Sequence, residues 1–116
     1  MGEMYIAKCL NCGYKTGMLT LGGGMLNFDT YDGEPVCNFD TKEIEVANAK
    51  EREKIMKDNP NIAFYFHDQK LYREHDEHTI DAGEEHGIIE LKDRKLYLCP
   101  KCNEFKLVFL WQGMWD

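Results

Sequence analysis

Two short segments of the sequence, Cys9-Leu10-Asn11-Cys12 and Cys99-Pro100-Lys101-Cys102, share a Cys-x-x-Cys spacing. Two intervening residues let the backbone curl so that both sulfurs of a pair face one ion. Two such pairs supply the four thiolates that close a tetrahedral structural zinc site. We therefore predict one metal site, whose ligands are Cys9, Cys12, Cys99 and Cys102.

The residue that follows each pair supports this prediction. Gly13 follows the first pair and Asn103 follows the second. A tight turn around a metal commonly needs a positive φ directly after its second ligand, and Gly and Asn adopt that conformation most readily. We expect both segments to form such turns, and we call them the first knuckle (residues 9–12) and the second knuckle (residues 99–102).

Other roles for paired cysteines fit the sequence less well. Structural disulfides form in oxidising compartments and usually use an even number of cysteines, whereas this chain has five cysteines and no visible export signal. A thioredoxin-type redox pair uses a single Cys-x-x-Cys at a strand-to-helix junction, not two pairs far apart in the sequence. The number and spacing of the cysteines therefore favour a metal site over structural disulfides or a redox pair.

The two knuckles resemble those of zinc-ribbon and rubredoxin-like proteins. The segment 5–14, with its Cys-Gly-Tyr ending, resembles a first rubredoxin-type knuckle, and the segment 98–102 resembles the Cys-Pro-x-Cys second knuckle. The resemblance implies two β-hairpins that clasp one metal ion, Zn²⁺ or alternatively Fe. It covers only the two ends of the sequence, because a long insert of 86 residues separates Cys12 from Cys99.

Short strands account for most of the remaining apolar segments. Apolar patterning and turn signals predict strands over 4–8, 14–20, 25–28, 62–66, 71–73, 88–91, 95–98 and 105–111. We expect the segment 71–73 to pair with 62–66, and the segment 88–91 to pair with 95–98. The segments 29–39 and 74–87 are polar, and we expect both to form loops.

One helix is predicted between these strands. Asp40-Thr41-Lys42-Glu43 has the pattern of an N-cap with glutamate at the third position, and Asn59-Pro60 would end a helix. Ile44, Ala47 and Ile55 form a narrow apolar stripe on a helix over about 41–58. The predicted fold class is α+β, a zinc-ribbon-like pair of β-hairpins from the two termini with an inserted helix and additional antiparallel strands.

We expect a single domain over residues 1–116, with 1–20 and 92–116 forming the metal ribbon and 21–91 an inserted acidic α+β lobe. Joining Cys12 to Cys99 closes a loop of most of the chain, and chain-entropy models assign such a cross-link about 4–5 kcal/mol. Small domains have total stabilities of about 5–15 kcal/mol, so we expect the metal to be a condition of folding.

The distribution of charge bears on the partner. The formal net charge is −7, and residues 21–91 hold 7 positive and 17 negative groups, a net of −10. Affinity for nucleic acid comes largely from neutralising phosphates, so an acidic protein is a poor general ligand for it. We expect a protein partner, and a nucleic-acid partner would have to bind the more basic termini. The oligomeric state stays open.

The sequence also predicts a cytoplasmic location. No apolar run approaches the roughly 20 residues that a membrane span needs. The N-terminus lacks a basic segment followed by an apolar stretch, so we expect neither a signal peptide nor membrane insertion.

Four histidines and the fifth cysteine are the other candidates for chemistry. His67, His75, His78 and His86 lie among acidic residues, which allows a second metal site, but such stretches are more often exposed loops. We interpret Cys37 as a small buried apolar residue. No catalytic or cofactor-binding motif is visible, so the sequence favours a protein without enzymatic activity.

Three functional hypotheses follow. The first is a small intracellular metal-binding protein with a structural four-cysteine zinc site, acting as a protein-interaction or regulatory module. The second is a rubredoxin-like iron electron carrier, because a shielded thiolate cage also suits iron. The third is a zinc-ribbon protein that binds nucleic acid through its basic ends.

Overall fold

Antiparallel strands dominate the computed structural model, which describes residues 2–23 and 32–115. Of these residues, 49% lie in strands and 15% in helices. The strands are β1 (Gly2–Cys9), β2 (Leu19–Gly22), β3 (Gly33–Asn38), β4 (Glu43–Asn48), β5 (Ile62–Phe64), β6 (Tyr72–Glu74), β7 (Thr79–Asp81), β8 (Ile88–Glu90), β9 (Lys95–Leu98) and β10 (Phe105–Trp115). The helices are the short α1 (Arg52–Asp58) and three 3₁₀ turns, Ala49–Glu51, Gln69–Leu71 and Lys92–Arg94.

Seven strands form one curled antiparallel sheet with the shape of a half-barrel. Their order across the sheet is β4-β3-β2-β1-β10-β9-β6, and β5 pairs with β3 beside this path. The strands β7 and β8 form a separate two-stranded hairpin. The long pairing of β1 with β10 lies at the centre of the order, so it joins the two ends of the sequence along their full length.

The core lies on one face of the sheet. Alternate residues of β1 point inward, so Tyr5, Ala7 and Cys9 are all buried. Leu107 and Phe109 of the partner strand β10 are buried as well. The first metal-ligand candidate therefore continues an inward-facing row of core residues, which explains why its sulfur is buried.

Aromatic rings fill the centre of this core. Phe109 packs edge-to-face against Tyr97, with ring centroids 4.8 Å apart, and against Tyr65 at 5.8 Å. Such pairs add roughly 0.5–1.5 kcal/mol each beyond the burial of their area. The Tyr65 hydroxyl donates a hydrogen bond of 2.8 Å to the carbonyl of Leu98, so the core is tied to the residue that precedes Cys99.

The predicted fold class is wrong. The structure is mostly β, and it does not consist of a small zinc-ribbon pair of hairpins with an inserted α+β lobe. Turns with the expected knuckle conformation are present, but their flanking strands belong to one large sheet. Backbone pairing of β1 with β10, and of both with neighbours on either side, merges the two ends of the sequence into that sheet.

The helix predicted over about 41–58 is wrong in its first half. Residues 43–48 form β4, and only Arg52–Asp58 is α-helical. Lys42 has a φ of 57°, so the chain turns where the N-cap was expected. Ile44 and Val46 are β-branched and alternate with exposed glutamates, a pattern of period two that matches a half-buried strand paired with β3.

Several predicted strands are present with other partners. β6 pairs with β9 and not with β5, and β8 pairs with β7 and not with β9. The polar segment 74–87, predicted to be loop, contains β7. The strand predicted over 25–28 lies outside the described residues. Among the described residues, no helix has the length and apolar character that crossing a bilayer requires.

Candidate metal centre

Both knuckles lie at the same end of the sheet because β1 and β10 are paired. β1 ends at Cys9, whose register partner in β10 is Leu107. The second knuckle connects β9 to β10, so it precedes the same part of β10. A further bond of 2.8 Å from the Leu10 amide to the Lys106 carbonyl joins the two turns directly.

The first knuckle is a tight turn closed by backbone hydrogen bonds. The Cys9 amide donates to the Tyr14 carbonyl at 2.7 Å, and the Gly13 amide donates back to the Cys9 carbonyl at 3.2 Å. Gly13 has a φ of 82°, as predicted. The amides of Asn11 and Cys12 each point at the Cys9 sulfur at 3.4 Å, so the turn places N–H dipoles around a sulfur that would carry negative charge.

The second knuckle repeats this geometry. The Cys99 amide donates to the Glu104 carbonyl at 2.9 Å, and the Asn103 amide donates to the Cys99 carbonyl at 2.9 Å. Asn103 has a φ of 60°, the second predicted left-handed position. Amides of Lys101 and Cys102 lie at the Cys99 sulfur in the same way as their counterparts in the first knuckle. The two turns are therefore equivalent halves of one site.

The four sulfurs lie close enough together to share one metal ion. All four lie within 4.8 Å of one another. The Cys9 and Cys102 sulfurs are 3.7 Å apart, and the Cys12 and Cys99 sulfurs are 3.6 Å apart. Sulfurs bound to zinc at about 2.3 Å lie about 3.8 Å from one another, whereas a disulfide needs about 2.05 Å. The donor set therefore fits a metal ion, and all five cysteines of the chain are free thiols.

The four sulfurs differ in their exposure. Cys9 is 1% exposed and Cys99 is fully buried. Cys12 is exposed and Cys102 is half-buried. An ion at this site would thus be enclosed by the sheet on one side and reachable from solvent on the other.

Burial opposes ionisation of the two inner thiols. It raises the pKa of Cys99 to about 12 and also raises the pKa of Cys9, and the amide hydrogen bonds offset only part of this effect. Burial acts on Cys102 in the same direction, but hydrogen bonds from the Asn11 side chain and the Glu104 amide outweigh it and lower its pKa to about 7. Thiolates at the inner positions therefore need a nearby cation, which a bound metal supplies.

Contacts outside the sulfurs hold the knuckles against the rest of the sheet. The Tyr14 hydroxyl accepts a hydrogen bond of 3.2 Å from the Ile44 amide of β4. Lys101 forms an ion pair of 3.0 Å with Glu43 at the start of the same strand. These two contacts therefore join the edge strand β4 directly to the metal end of the sheet.

The histidines do not gather into a second site. Within residues 2–23 and 32–115, the four cysteines are the only group of three or more potential ligands close enough to share an ion. His67 lies 2.7 Å from Glu34, and His86 lies 3.1 Å from the ammonium of Lys8. His75 and His78 use their backbones to hold the segment 91–94.

Cys37 is fully buried in β3, which confirms the prediction of a small buried apolar residue. Burial raises the pKa of its thiol, and a hydrogen bond with the Tyr65 hydroxyl acts in the opposite direction. It belongs to the core and is not one of the clustered sulfurs.

One contributor to the site was not anticipated from the sequence. The side-chain amide of Asn11 donates to the Cys102 sulfur at 3.6 Å, so a residue of the first knuckle supports a ligand of the second. The sequence shows a polar residue between two cysteines but carries no sign of a contact across 91 positions. Only the pairing of β1 with β10 brings the two together.

Comparison of this chain with protein-family models, with curated proteins and with solved structures finds no match in any of the three. The case for a metal centre thus depends on the geometry of the four sulfurs. A four-cysteine cluster that could hold a metal ion indicates a small metal-binding protein.

Proposed function

We propose that this protein holds one structural Zn²⁺ with Cys9, Cys12, Cys99 and Cys102, and that it acts as a protein-interaction or regulatory module. The observation that carries the proposal is the clustering of the four sulfurs within 4.8 Å of one another, with 3.7 Å between the Cys9 and Cys102 sulfurs and 3.6 Å between the Cys12 and Cys99 sulfurs. Four protein ligands leave no open coordination position, which favours a structural role over a catalytic one.

The position of the site supports a structural role for the metal. The ion would link β1 to the turn between β9 and β10 and so fasten residues 9–12 to residues 99–102. Closing a loop of this length contributes about 4–5 kcal/mol in chain-entropy models. Without the metal, Cys9 and Cys99 would be neutral thiols because burial raises their pKa, so ionisation of these two ligands would be coupled to binding of the ion.

The cytoplasm is the compartment we propose for this chemistry. Four thiols must stay reduced to bind the ion, and reducing compartments keep them so. All five cysteines are unpaired, in agreement with such a compartment.

Iron is the second candidate metal, and one observation favours it. Cys12 is exposed, so a sulfur ligand would lie at the protein surface, where an electron partner could approach. A tetrathiolate cage suits iron as well as zinc. A coloured protein whose visible absorption bleaches reversibly on reduction would replace the zinc proposal with a rubredoxin-like electron carrier.

A nucleic-acid partner has less support. Two lysines next to the ligands, Lys8 and Lys101, form ion pairs with Glu85 and Glu43 at 2.9 and 3.0 Å. These pairs reduce the positive potential that phosphate binding at the two ends would need. A protein partner is therefore the better proposal.

The test combines metal analysis with chelation. We expect protein purified without added metal to contain one zinc ion per chain and to be colourless. Removing the metal with a chelator under reducing conditions should lower the melting temperature by about 15 °C or more, because about 4 kcal/mol is lost from a domain of this size. Adding back Zn²⁺ should restore the original melting temperature.

A magnesium add-back serves as the control, because Mg²⁺ prefers oxygen ligands and should not restore stability. A protein whose melting temperature is the same with and without chelator would overturn the structural role. Substoichiometric zinc in freshly purified protein would overturn the metal assignment itself.

A further inference from the structure

Part of one edge of β10 has no strand partner. β1 occupies the other edge from Leu107 to Trp115, whereas β9 pairs with β10 only at Phe105 and Leu107. In the part of the chain that the structure describes, no strand pairs with β10 beyond Leu107 on the β9 side. Residues 108–115 therefore present an open strand edge, the kind of edge to which another polypeptide can add by backbone hydrogen bonding.

A groove of about 450 Å³ lies beside this edge. Phe109, Leu110 and Trp111 of β10 line one side, residues 89–93 line the other, and Tyr5 completes it. We call it the β10 groove. Its position between an open strand edge and a neighbouring segment gives room for one extended chain.

The groove carries apolar surface that the core does not use. Trp111, one of the lining residues, is 58% exposed. A tryptophan left this open at a groove is the type of residue that dominates binding energy in protein interfaces.

Acidic residues outnumber basic ones in the segment that leads to the groove, although Glu85 forms an ion pair with Lys8 at 2.9 Å. Residues 74–91 contain no lysine or arginine. Their acidic residues are all exposed, and they are Glu74, Asp76, Glu77, Asp81, Glu84, Glu85 and Glu90. The lining residue Lys92 lies 3.7 Å from the carboxylate of the lining residue Asp93, so these two groups together add no net charge beside the groove.

We propose that the β10 groove binds an extended basic segment of a partner protein, which adds to residues 108–115 as a further antiparallel or parallel strand. Backbone hydrogen bonds to the open edge supply affinity, an apolar side chain packs on Trp111, and lysines or arginines face the acidic segment 74–91. A second copy of this chain is a poorer occupant, because each copy carries a net charge of −7 and the acidic segments would approach each other.

This inference rests on the protein-binding part of the proposed function and not on the identity of the metal. The probe is a fluorescein-labelled ten-residue peptide of alternating lysine and threonine with one central leucine. Binding to the metal-loaded protein is followed by fluorescence anisotropy. We expect saturable binding, at least about tenfold weaker for a peptide with glutamate in place of lysine.

A second control peptide tests strand addition directly. It has the same sequence but carries N-methyl groups on alternate amides along one edge, which remove hydrogen bonds without changing charge. Two such peptides, one for each edge, are compared. We expect one of the two to bind at least about tenfold more weakly, because a strand uses only one of its edges for pairing with β10.

Protein variants locate the site. Trp111→Ala should weaken binding by at least about tenfold, whereas Phe39→Ala, which removes another exposed ring, should change it by less than about twofold. Glu84→Gln combined with Glu90→Gln should weaken binding more than Glu51→Gln combined with Glu53→Gln, although both pairs remove the same charge.

Equal effects of the two charge pairs, or full affinity in both N-methylated peptides, would overturn the inference. So would a dimer in sedimentation that Trp111→Ala dissociates, because a second copy would then occupy the edge. Zinc content and melting temperature are measured on the same samples. If the protein carries its metal but binds no peptide, the groove inference fails and the metal proposal stands. If the protein carries no metal, the metal proposal fails, and peptide binding still tests the groove.

Discussion

Gly13 shows how a single backbone angle shapes the first knuckle. Its φ is 82°, yet a Cβ atom built there meets nothing within 4 Å. Substitution by alanine would therefore cause backbone strain without a steric clash. A substitution at Gly13 therefore measures backbone strain alone, whereas at many other glycines a steric clash adds to the strain.

We predict that Gly13→Ala lowers the free energy of unfolding by about 1–2 kcal/mol, because L-residues disfavour the left-handed region. Gly17 is the matched control, since a Cβ there also meets nothing within 4 Å but φ lies outside that region. Gly17→Ala should change stability by less than about 1 kcal/mol. Urea unfolding of both variants decides the matter, and equal effects would contradict the role assigned to Gly13.

The cysteines allow a second comparison at this scale. Cys9→Ser should abolish stoichiometric zinc and reduce the free energy of unfolding by about 3–5 kcal/mol, because a ligand of a closed site is removed. Cys37→Ala should retain one zinc per chain and lose only about 1–2 kcal/mol for the small cavity left in the core. Metal analysis by mass spectrometry checks both variants, and a zinc-replete Cys9→Ser protein would contradict the ligand assignment.

At the scale of elements, β4 connects the metal end of the sheet to its edge. Two contacts make the connection, the hydrogen bond of the Ile44 amide to Tyr14 and the ion pair of Lys101 with Glu43. The two differ in exposure, because Tyr14 is half-buried whereas the ion-pair side chains of Lys101 and Glu43 are 38% and 54% exposed.

We predict that Tyr14→Phe lowers the free energy of unfolding by about 1 kcal/mol, since it leaves the Ile44 amide without this acceptor. Glu43→Gln should change it by less than about 0.5 kcal/mol, because exposed ion pairs contribute little. Thermal and urea unfolding provide the comparison. A larger loss for Glu43→Gln than for Tyr14→Phe would show that charge and not the buried hydrogen bond fastens β4.

The sequence predicted the knuckles well because they are local structures. Cysteine spacing and the residues Gly13 and Asn103 specify each turn within a few positions, and the strands at 4–8 and 105–111 follow from apolar patterning. The partners of the strands were harder to predict. The apolar residues of the segment 43–48 fit both a helical stripe and the period of two that is typical of a strand. The segment forms a strand because it pairs with β3, and β3 itself lies in a segment that was expected to be a loop.

Local sequence patterns also could not predict which residues at the metal site and the β10 groove are buried. The residues next to Asn11 in the sequence do not indicate that its side-chain amide contacts Cys102. The residues next to Trp111 do not indicate that the pairing of β9 with β10 stops at Leu107 and leaves Trp111 exposed. Both facts follow from the order of strands in the sheet. Long-range pairing thus determines which sulfurs are enclosed and which apolar residues remain free for a partner.

For the whole molecule, the aromatic core makes stability depend on pH in the alkaline range. Burial raises the pKa of Tyr5 to about 12, with Glu3 adding to the effect, and burial also raises the pKa of Tyr65. An unfolded tyrosine ionises near pH 10. Because the folded pKa is the higher one, the stabilisation is fully present below about pH 10 and is lost as pH rises from there toward 12.

We predict that the free energy of unfolding falls between pH 10 and 12, by up to about 1.4 kcal/mol per pH unit for each such tyrosine. Tyr5→Phe should make this fall less steep while leaving the stability at pH 8 similar. Urea titrations at fixed pH values measure the slope. A stability that is constant over this range, or an unchanged slope in Tyr5→Phe, would contradict the assignment.

The expectation that residues 1–116 form one domain stays a prediction, and the proposed metal is central to it. An ion between the two knuckles would make unfolding of the sheet and release of the metal a single event. Scanning calorimetry with and without chelator tests this coupling, because a single event gives a single unfolding transition in the metal-loaded protein.

X-ray absorption at the metal edge, recorded on protein purified without added metal, tests the central claim most directly. The four-cysteine site predicts a first coordination shell of four sulfurs at about 2.3 Å around one zinc ion per chain. A shell in which nitrogen or oxygen replaces any of the four sulfurs would contradict it.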